Sequence, residues 1–471
     1  MIFYIFRCNA RKNITSIYTE RNKYIKEAYM KKGLIALFTL LAIVLPLILT
    51  GCSFSKGLIN SEDAGGAGGG YGGGHVMGAV PDHDLTDGDW GESEAPSESG
   101  GEPSDVGKNE TDPMKPNRPA GLITAAAWND NDNYALWLDA LSANGEQKFG
   151  TYPKNWGLPS ENRVKVTVKS GDSVVVGALV TLTSSDGTET HRAFTDSQGI
   201  AYLFPNALEG NLLVSSGDEQ VVAAFTVDER EIAVSFEAQR AREELIEIMF
   251  VVDVTGSMGD ELEYLKNELA DVVRGVVEEN PEAKINLALL FYRDHTDNET
   301  FRYYDFIDVT KYTGLADRQQ AIDAQRASGG GDTPEAVDEA LQMAVGKQWS
   351  DSASTKLIFH VLDAPPHSAD KNIATFSGAV KSAAEKGIRI CPIICSGADL
   401  LTEYLTRTAA IYTGGTFIFV TDDSGIGNSH HDPNLPNTVV EALNSLMIRL
   451  INGYYSGEFA PAVPWVSDNQ F

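Results

Sequence analysis

The hydrophobic and polar positions divide the chain into segments with different periods. Residues 161–240 alternate apolar and polar side chains, so that Val164, Val166 and Val168 fall on one face. Turn signals such as Ser185-Asp186-Gly187 separate the apolar runs. Several short strands in such a stretch predict an all-β sandwich.

Residues 245–455 follow a second pattern, in which apolar strands alternate with amphipathic helices. Apolar residues recur at helical spacing after Leu262, between the strand runs Leu245–Val254 and Ile285–Phe291. This alternation is typical of a mostly parallel sheet with helices on both faces. We therefore predict an open, doubly wound α/β sheet, Rossmann-like in architecture, with its ligand site at the carboxyl ends of the strands.

The segment 119–160 is predicted to be a short helical piece between a linker and the sandwich. Five Asn and Asp residues at 129–133 precede the amphipathic run Tyr134–Leu138, as a helix N-cap cluster would. A calcium loop needs further oxygen ligands and a glycine, but Tyr134 and Leu136 stand at those positions.

The N-terminal region has the pattern of an export signal. Met30-Lys31-Lys32 precedes an uncharged apolar stretch that runs to Gly51. Leu49-Thr50-Gly51-Cys52 resembles the bacterial lipobox, which implies cleavage before Cys52 and its lipidation. Residues 30–51 are then a lipoprotein signal peptide, and 1–29 an upstream extension that is not native. A transmembrane anchor is the alternative, since the apolar stretch could just cross a bilayer.

Residues 52–118 are predicted to be a disordered linker, since they are rich in Gly and acidic residues and poor in apolar ones. The net charge of the chain is −29, and loss of residues 1–51 would remove eight basic and two acidic residues, which gives −35. Such a charge argues against nucleic acid as a partner and leaves lipidated Cys52 as the contact with the membrane. Residues 456–471 form a C-terminal tail. Oligomeric state stays open.

Oxygen-bearing side chains follow the predicted strands at the edge where a ligand should bind. Asp253, Thr255 and Ser257 come after the first strand of the α/β region, Thr333 follows the triple glycine 329–331, and Asp363 follows a later strand. A set of carboxylates and hydroxyls suits Mg²⁺, with Mn²⁺ or Ca²⁺ as alternatives.

These five residues resemble the metal-ion-dependent adhesion site, or MIDAS, of von Willebrand factor A domains. The first loop of that family is Asp-x-Ser-x-Ser, and Thr255 replaces its first Ser here. The resemblance implies that the hydroxyls of Thr255 and Ser257 bind the ion directly. It also implies that a protein partner supplies an acidic side chain to the free position. The runs Gly177–Leu182 and Thr195–Ala201 resemble carboxypeptidase-regulatory or Cna-B domains, which serve mostly as stalks.

Each of these residues also has a simpler interpretation. Thr333 before Pro334 could start a helix, Ser257 could cap the first helix, and Asp363 could form a turn. Their coincidence at one sheet edge favours the metal site. Three further residues are assigned to a second shell or to the rim of the site: Asp332, Asp294 and His295.

We therefore predict a lipid-anchored protein of the bacterial envelope, outside the cytoplasm, that binds a protein partner through a divalent ion in adhesion or envelope assembly. It is not predicted to be an enzyme. A structural protein with a vestigial metal site is the alternative. A metal-dependent hydrolase built on Asp253, Asp294, Asp363 and His367 is disfavoured, because no activated nucleophile or two-metal motif accompanies them.

Overall fold

The computed structural model describes residues 120–142, 149–184, 188–237, 243–331 and 333–466. The predicted signal peptide, Cys52, the linker up to residue 118, Asp332 and the last residues of the tail lie outside these ranges. None of the helices in the described ranges is long and apolar enough to cross a membrane.

The segment after the linker contains a strand as well as helices, which corrects the prediction of a purely helical piece. Strand β1 (Thr124–Trp128) is followed by helices α1 (Tyr134–Leu141) and α2 (Tyr152–Trp156). Asn133 occupies the N-cap position of α1 without a side-chain hydrogen bond to the helix. Asn129 instead accepts hydrogen bonds within the preceding turn. The polar cluster therefore forms a turn and does not cap the helix.

Residues 164–236 form two four-stranded sheets around a shared apolar core. One sheet contains β2 (Val164–Ser170), β3 (Ser173–Val174), β6 (Ile200–Leu203) and β9 (Glu231–Phe236). The other contains β4 (Leu179–Thr183), β5 (Glu189–Phe194), β7 (Gly210–Ser216) and β8 (Glu219–Phe225). The alternating valines of β2 point into the core because successive strand residues face opposite sides. The likeness to Cna-B stalk domains stays a prediction.

The rest of the chain alternates strands and helices, as the sequence predicts. The strands are β10 (Glu243–Asp253), β11 (Lys284–Tyr292), β12 (Phe301–Asp308), β13 (Ala353–Leu362), β14 (Arg389–Ile394), β15 (Phe417–Val420) and β16 (Val440–Ala442). The helices are α3 (Leu262–Glu279), α4 (Tyr312–Asp323), α5 (Val337–Gly346), α6 (Asp370–Glu385), α7 (Leu400–Thr413) and α8 (Leu443–Ser456). This alternation confirms an α/β fold for this part of the chain.

One eight-stranded sheet has the order β12-β11-β10-β13-β14-β15-β1-β16. Its five central strands are parallel, while β12, β1 and β16 run antiparallel to their neighbours or lie at an edge. The chain moves from β10 to β11 on one side and reaches β13 on the other. Such a switch point opens a crevice at the carboxyl ends of the strands, where ligands bind in open α/β sheets.

Helices cover both faces of this sheet. Residues of α3 and α8 pack on one face, and residues of α5, α6 and α7 pack on the other together with Trp137 and Trp156. The segment that contains β1 therefore belongs to the core of the α/β part. Cys391 and Cys395 are free and buried.

The two-sheet part contacts the end of the α/β part that lies opposite the crevice. Phe204 stacks on Tyr412 near the C-terminus of α7, with ring centroids 4.4 Å apart. Ser197 contacts Gly453 near the C-terminus of α8. Because these helices run antiparallel to the central strands, their C-termini lie at the amino ends of those strands. The crevice edge is left uncovered by this contact.

Candidate functional site

The end of β10 places three predicted residues in hydrogen-bond contact. Asp253, the last residue of the strand, is fully buried. Its Oδ1 accepts hydrogen bonds from the backbone N of Thr255 at 2.8 Å and from its Oγ1 at 2.7 Å. The Thr255 hydroxyl lies 3.1 Å from the hydroxyl of Ser257, which lies in the short 3₁₀ helix Gly256–Asp260. The strand end thus presents a carboxylate and two hydroxyls together.

Asp363 joins this group from the neighbouring strand. It follows β13, which pairs with β10 up to Val252 and Val361, and it is hydrogen-bonded to the Ser257 hydroxyl. Burial raises the pKa of Asp253, and the charge of Asp363 raises it further. Burial also raises the pKa of Asp363, against the hydrogen bond from Ser257. Two carboxylates are thus held close together in a desolvated site.

Glu335 is a buried carboxylate of this site that the sequence reasoning missed. Its backbone N donates to Pro365 O at 3.1 Å, which fixes it beside the loop of Asp363. Burial raises the pKa of Glu335 to about 9, and the charges of Asp253, Asp294 and Asp363 contribute. A lone acid after a Thr-Pro pair carries no spacing signal, so only the fold could reveal it.

Three buried carboxylate oxygens in this crevice receive no hydrogen bond from any described residue. They are Oδ2 of Asp253, Oδ1 of Asp363 and Oε2 of Glu335. Buried polar atoms in proteins are normally paired, because an unpaired one carries the full cost of desolvation. A divalent cation would satisfy anionic oxygens of this kind and reverse the mutual repulsion. Together with the two hydroxyls, the donor set fits a hard, oxygen-preferring ion.

The simpler helix-cap roles of Ser257 and Thr333 do not agree with the observed helices. Helix α3 begins at Leu262 with Glu261 as its N-cap residue. Helix α5 begins at Val337, four residues after Thr333, with Ala336 in the N-cap position. Neither hydroxyl therefore caps a helix.

Thr333 is the member of the predicted set that is not joined to the others by a hydrogen bond between described residues. It is exposed at the end of the glycine loop. That loop approaches the site, since Gly256 N donates to Gly329 O at 3.1 Å. Gly330 has a φ of +85°, and a Cβ there would lie 2.8 Å from Glu335 Oε1. The glycines permit a close approach that larger residues would block.

Two of the three residues assigned to the rim, Asp294 and His295, form a cluster with His367. Asp294 follows β11 and is buried, and its Oδ1 lies 2.9 Å from His367 Nε2. The ring of His295 lies 5.1 Å from that of His367, measured between centroids. His367 was predicted only as part of the disfavoured hydrolase. Asp297 ties this loop to the glycine loop, because its Oδ2 accepts from Gly330 N at 3.0 Å.

Residues 247–410 match the family model of the von Willebrand factor A domain, so this region of the chain is a domain of that type. The resemblance found in the sequence is confirmed at this level. Domains of this family commonly bind a divalent metal. The match covers the strands and loops that carry Asp253, Glu335 and Asp363.

Two curated proteins are similar to the chain. Alpha-protein kinase vwkA of Dictyostelium discoideum is 24% identical over 238 residues, which cover 49% of this chain and 35% of that protein. The putative ariadne-like RING finger protein R811 of Acanthamoeba polyphaga mimivirus is 26% identical over 219 residues, 43% of this chain and 20% of that protein. The chain thus spans about a third and a fifth of the lengths of these relatives.

Some solved structures are also similar to the chain, with lower sequence identity than the two curated proteins. The pilus adhesin SpaC of Lactobacillus rhamnosus GG has a TM-score of 0.33 and 10% identity, covering 52% of this chain and 32% of that chain. The protein BatB of Bacteroides thetaiotaomicron has a TM-score of 0.28 and 15% identity, covering 39% of this chain and 91% of that chain. Likenesses of this size do not bear on function.

Proposed function

We propose that the von Willebrand factor A domain of this chain binds a protein partner through a divalent metal ion. Asp253, Thr255, Ser257, Thr333 and Asp363 would hold the ion, which would be Mg²⁺, or Mn²⁺ or Ca²⁺ in its place. The observation that carries this proposal is the convergence of β10 and β13. Their ends bring two hydroxyls beside two buried carboxylates that each keep an unpaired oxygen.

The proposed mechanism is coordination. A bound ion would supply a Lewis-acid position for an acidic side chain of the partner. Asp253 fixes the hydroxyls of Thr255 and Ser257 toward the site through its hydrogen bond to Thr255, and Asp363 holds Ser257 from the other side. Glu335 adds a third buried carboxyl, and its raised pKa indicates that its ionisation is unfavourable in the crevice without a cation. The chain is strongly acidic, so a partner with a basic or neutral patch around one carboxylate would dock most readily.

The proposal includes the location of the protein. Lipidated Cys52 would anchor the chain in the bacterial envelope, outside the cytoplasm, and residues 52–118 would hold the folded part away from the membrane. The two-sheet region contacts the α/β part opposite the crevice, so a stalk role for it leaves the metal site facing outward. In this proposal the protein is not an enzyme.

A carboxylate probe tests the mechanism before any partner is known. Mn²⁺ bound to the protein enhances the relaxation of water protons, and acetate at millimolar concentration should reduce that enhancement by replacing a metal-bound water. Acetamide has the same shape without the charge and should have no effect. The Asp253→Ala variant should show no enhancement to begin with. Enhancement that acetate leaves unchanged in the wild type would refute coordination of a partner acid, and enhancement that persists in Asp253→Ala would refute the site.

A further inference from the structure

Three side chains that the first site does not use meet beside it. Asp294 and His295 follow β11, and His367 follows β13. Each offers one ligand atom, and the three atoms lie within 4.8 Å of one another. Asp294 is buried, while the two histidines are partly accessible, with exposed side-chain fractions of 33% for His295 and 29% for His367. The set is two imidazoles and one carboxylate, open on one side.

The chemistry of this set differs from that of the first site. Imidazole nitrogens suit Zn²⁺ and similar transition ions, whereas Mg²⁺ and Ca²⁺ prefer oxygen. Ligand atoms around Zn²⁺ lie about 2.0–2.2 Å from the ion, and therefore about 3.3–3.6 Å from one another in a tetrahedron. We propose that Asp294, His295 and His367 bind a divalent transition-metal ion of the Zn²⁺ type, separate from the ion at Asp253.

Polar side chains beside these three residues contact them in the way that supporting residues contact metal ligands. The Nδ1 of His295 lies 3.6 Å from Oε2 of Glu339, so a carboxylate stands beside this ring. Thr296 Oγ1 donates to Asp294 Oδ2 at 3.3 Å, so that Oδ1 faces His367. A carboxylate behind a metal-binding imidazole fixes the orientation of the ring and raises its basicity.

A simple hydrogen bond between Asp294 and His367 explains only two of the three side chains. It gives no reason for the ring of His295 to stand 5.1 Å from that of His367. Two imidazolium rings would repel each other at this distance, while two neutral rings can share one ion. An ion bound by all three residues explains the whole cluster.

Such an ion would join two loops at the rim of the first site. The loop after β11 and the loop after β13 both border Glu335, whose backbone N bonds Pro365 only two residues before His367. The ion would stabilise this rim whether or not the first site binds Mg²⁺. The proposal therefore stands independently of the proposed function.

The test is a Zn²⁺ titration of the full chain by calorimetry in saturating Mg²⁺, with Co²⁺ as a spectroscopic probe. One Zn²⁺ should bind with high affinity, and Co²⁺ should show the visible bands of a low-coordinate nitrogen and oxygen site. His367→Gln and His295→Gln should each abolish this binding. Glu339→Gln, which removes only the supporting carboxylate, should weaken it by about 10–100-fold.

Two variants serve as controls. His431→Gln removes a histidine that, like His367, is partly exposed and paired with a carboxylate, but that stands outside the cluster. Asp253→Asn removes the charge of the first site. Both should keep wild-type Zn²⁺ binding, and thermal melting of every variant checks that it is folded. The proposal is overturned if Zn²⁺ does not bind, if binding survives in folded His367→Gln and His295→Gln, or if it is lost in folded Asp253→Asn.

Discussion

Replacing Asp253 by Asn should abolish the stabilisation of the protein by metal without lowering its stability in the absence of metal. The substitution keeps the size of the side chain and an acceptor for the Thr255 hydrogen bonds, but it removes one of two neighbouring buried charges. Without metal, the variant should be at least as stable as the wild type, because the repulsion with Asp363 is gone. An aspartate with a purely structural role would show the opposite effect, a loss of stability.

The expected response of the wild type can be estimated. An ion at about 100 times its dissociation constant stabilises the folded state by about 2.7 kcal/mol. For a domain of about 150–250 residues, 1 kcal/mol shifts the melting temperature by about 2–4 °C. Mg²⁺ should therefore raise the melting temperature of the wild type by roughly 5–10 °C. In Asp253→Asn the rise should disappear.

The assay is a melting curve in EDTA and then in Mg²⁺, with Asp308→Asn as the matched control. Asp308 also ends a strand and also accepts hydrogen bonds from the backbone N and hydroxyl of a Thr two residues later. It pairs with Asn286 near the start of β11, at the end of the sheet away from the crevice. Asp308→Asn should respond to Mg²⁺ as the wild type does. A wild type that does not respond to Mg²⁺, or an Asp253→Asn protein that responds fully, would refute a metal site at Asp253.

Three further predictions concern the pH response, the glycine loop and the first helix. His430 is partly desolvated, but hydrogen bonds to two carboxylates raise its pKa, so its stabilising effect is complete below about pH 6.5 and is lost at higher pH. In melting curves from pH 6 to 9, the melting temperature of His430→Gln should fall less with rising pH than that of the wild type. An equal fall in both proteins would contradict a stabilising role of protonated His430. Gly330→Ala should weaken Mg²⁺ binding in a calorimetric titration more than Gly331→Ala, since both have positive φ but only Gly330 lies against Glu335. Trp137→Ala should lower the free energy of unfolding of the α/β part, measured with denaturant, by about 3–5 kcal/mol. A decrease below about 1 kcal/mol would mean that the segment containing Trp137 is not part of its core.

The α/β architecture could be predicted because its strands are buried on both faces. The parallel strands β10 and β13 appear in the sequence as almost continuous apolar runs, and α3 carries its apolar residues at helical spacing. Two strands of this sheet were missed, the three-residue β16 and β1, a Thr-Ala-Ala-Ala-Trp run. Alanine has a low β-propensity, so only pairing with β15 and β16 makes this segment a strand.

The candidate site was predictable to the extent that its residues follow consecutive strands. Asp253, Thr255, Ser257 and Asp363 are brought together because β10 and β13 are neighbours in the sheet. The contact between Asp294 and His367 joins residues 73 positions apart, and no local spacing announces it. The binding of metal by the five predicted residues stays a prediction.

The position of the ion itself tests the proposed metal site most directly. Crystals of the protein grown with Mn²⁺ in place of Mg²⁺ would locate it by anomalous scattering. We expect a peak at the carboxyl ends of β10 and β13, within bonding distance of the hydroxyls of Thr255 and Ser257. A well-ordered site without an anomalous peak there, at a Mn²⁺ concentration that saturates the protein in solution, would contradict it.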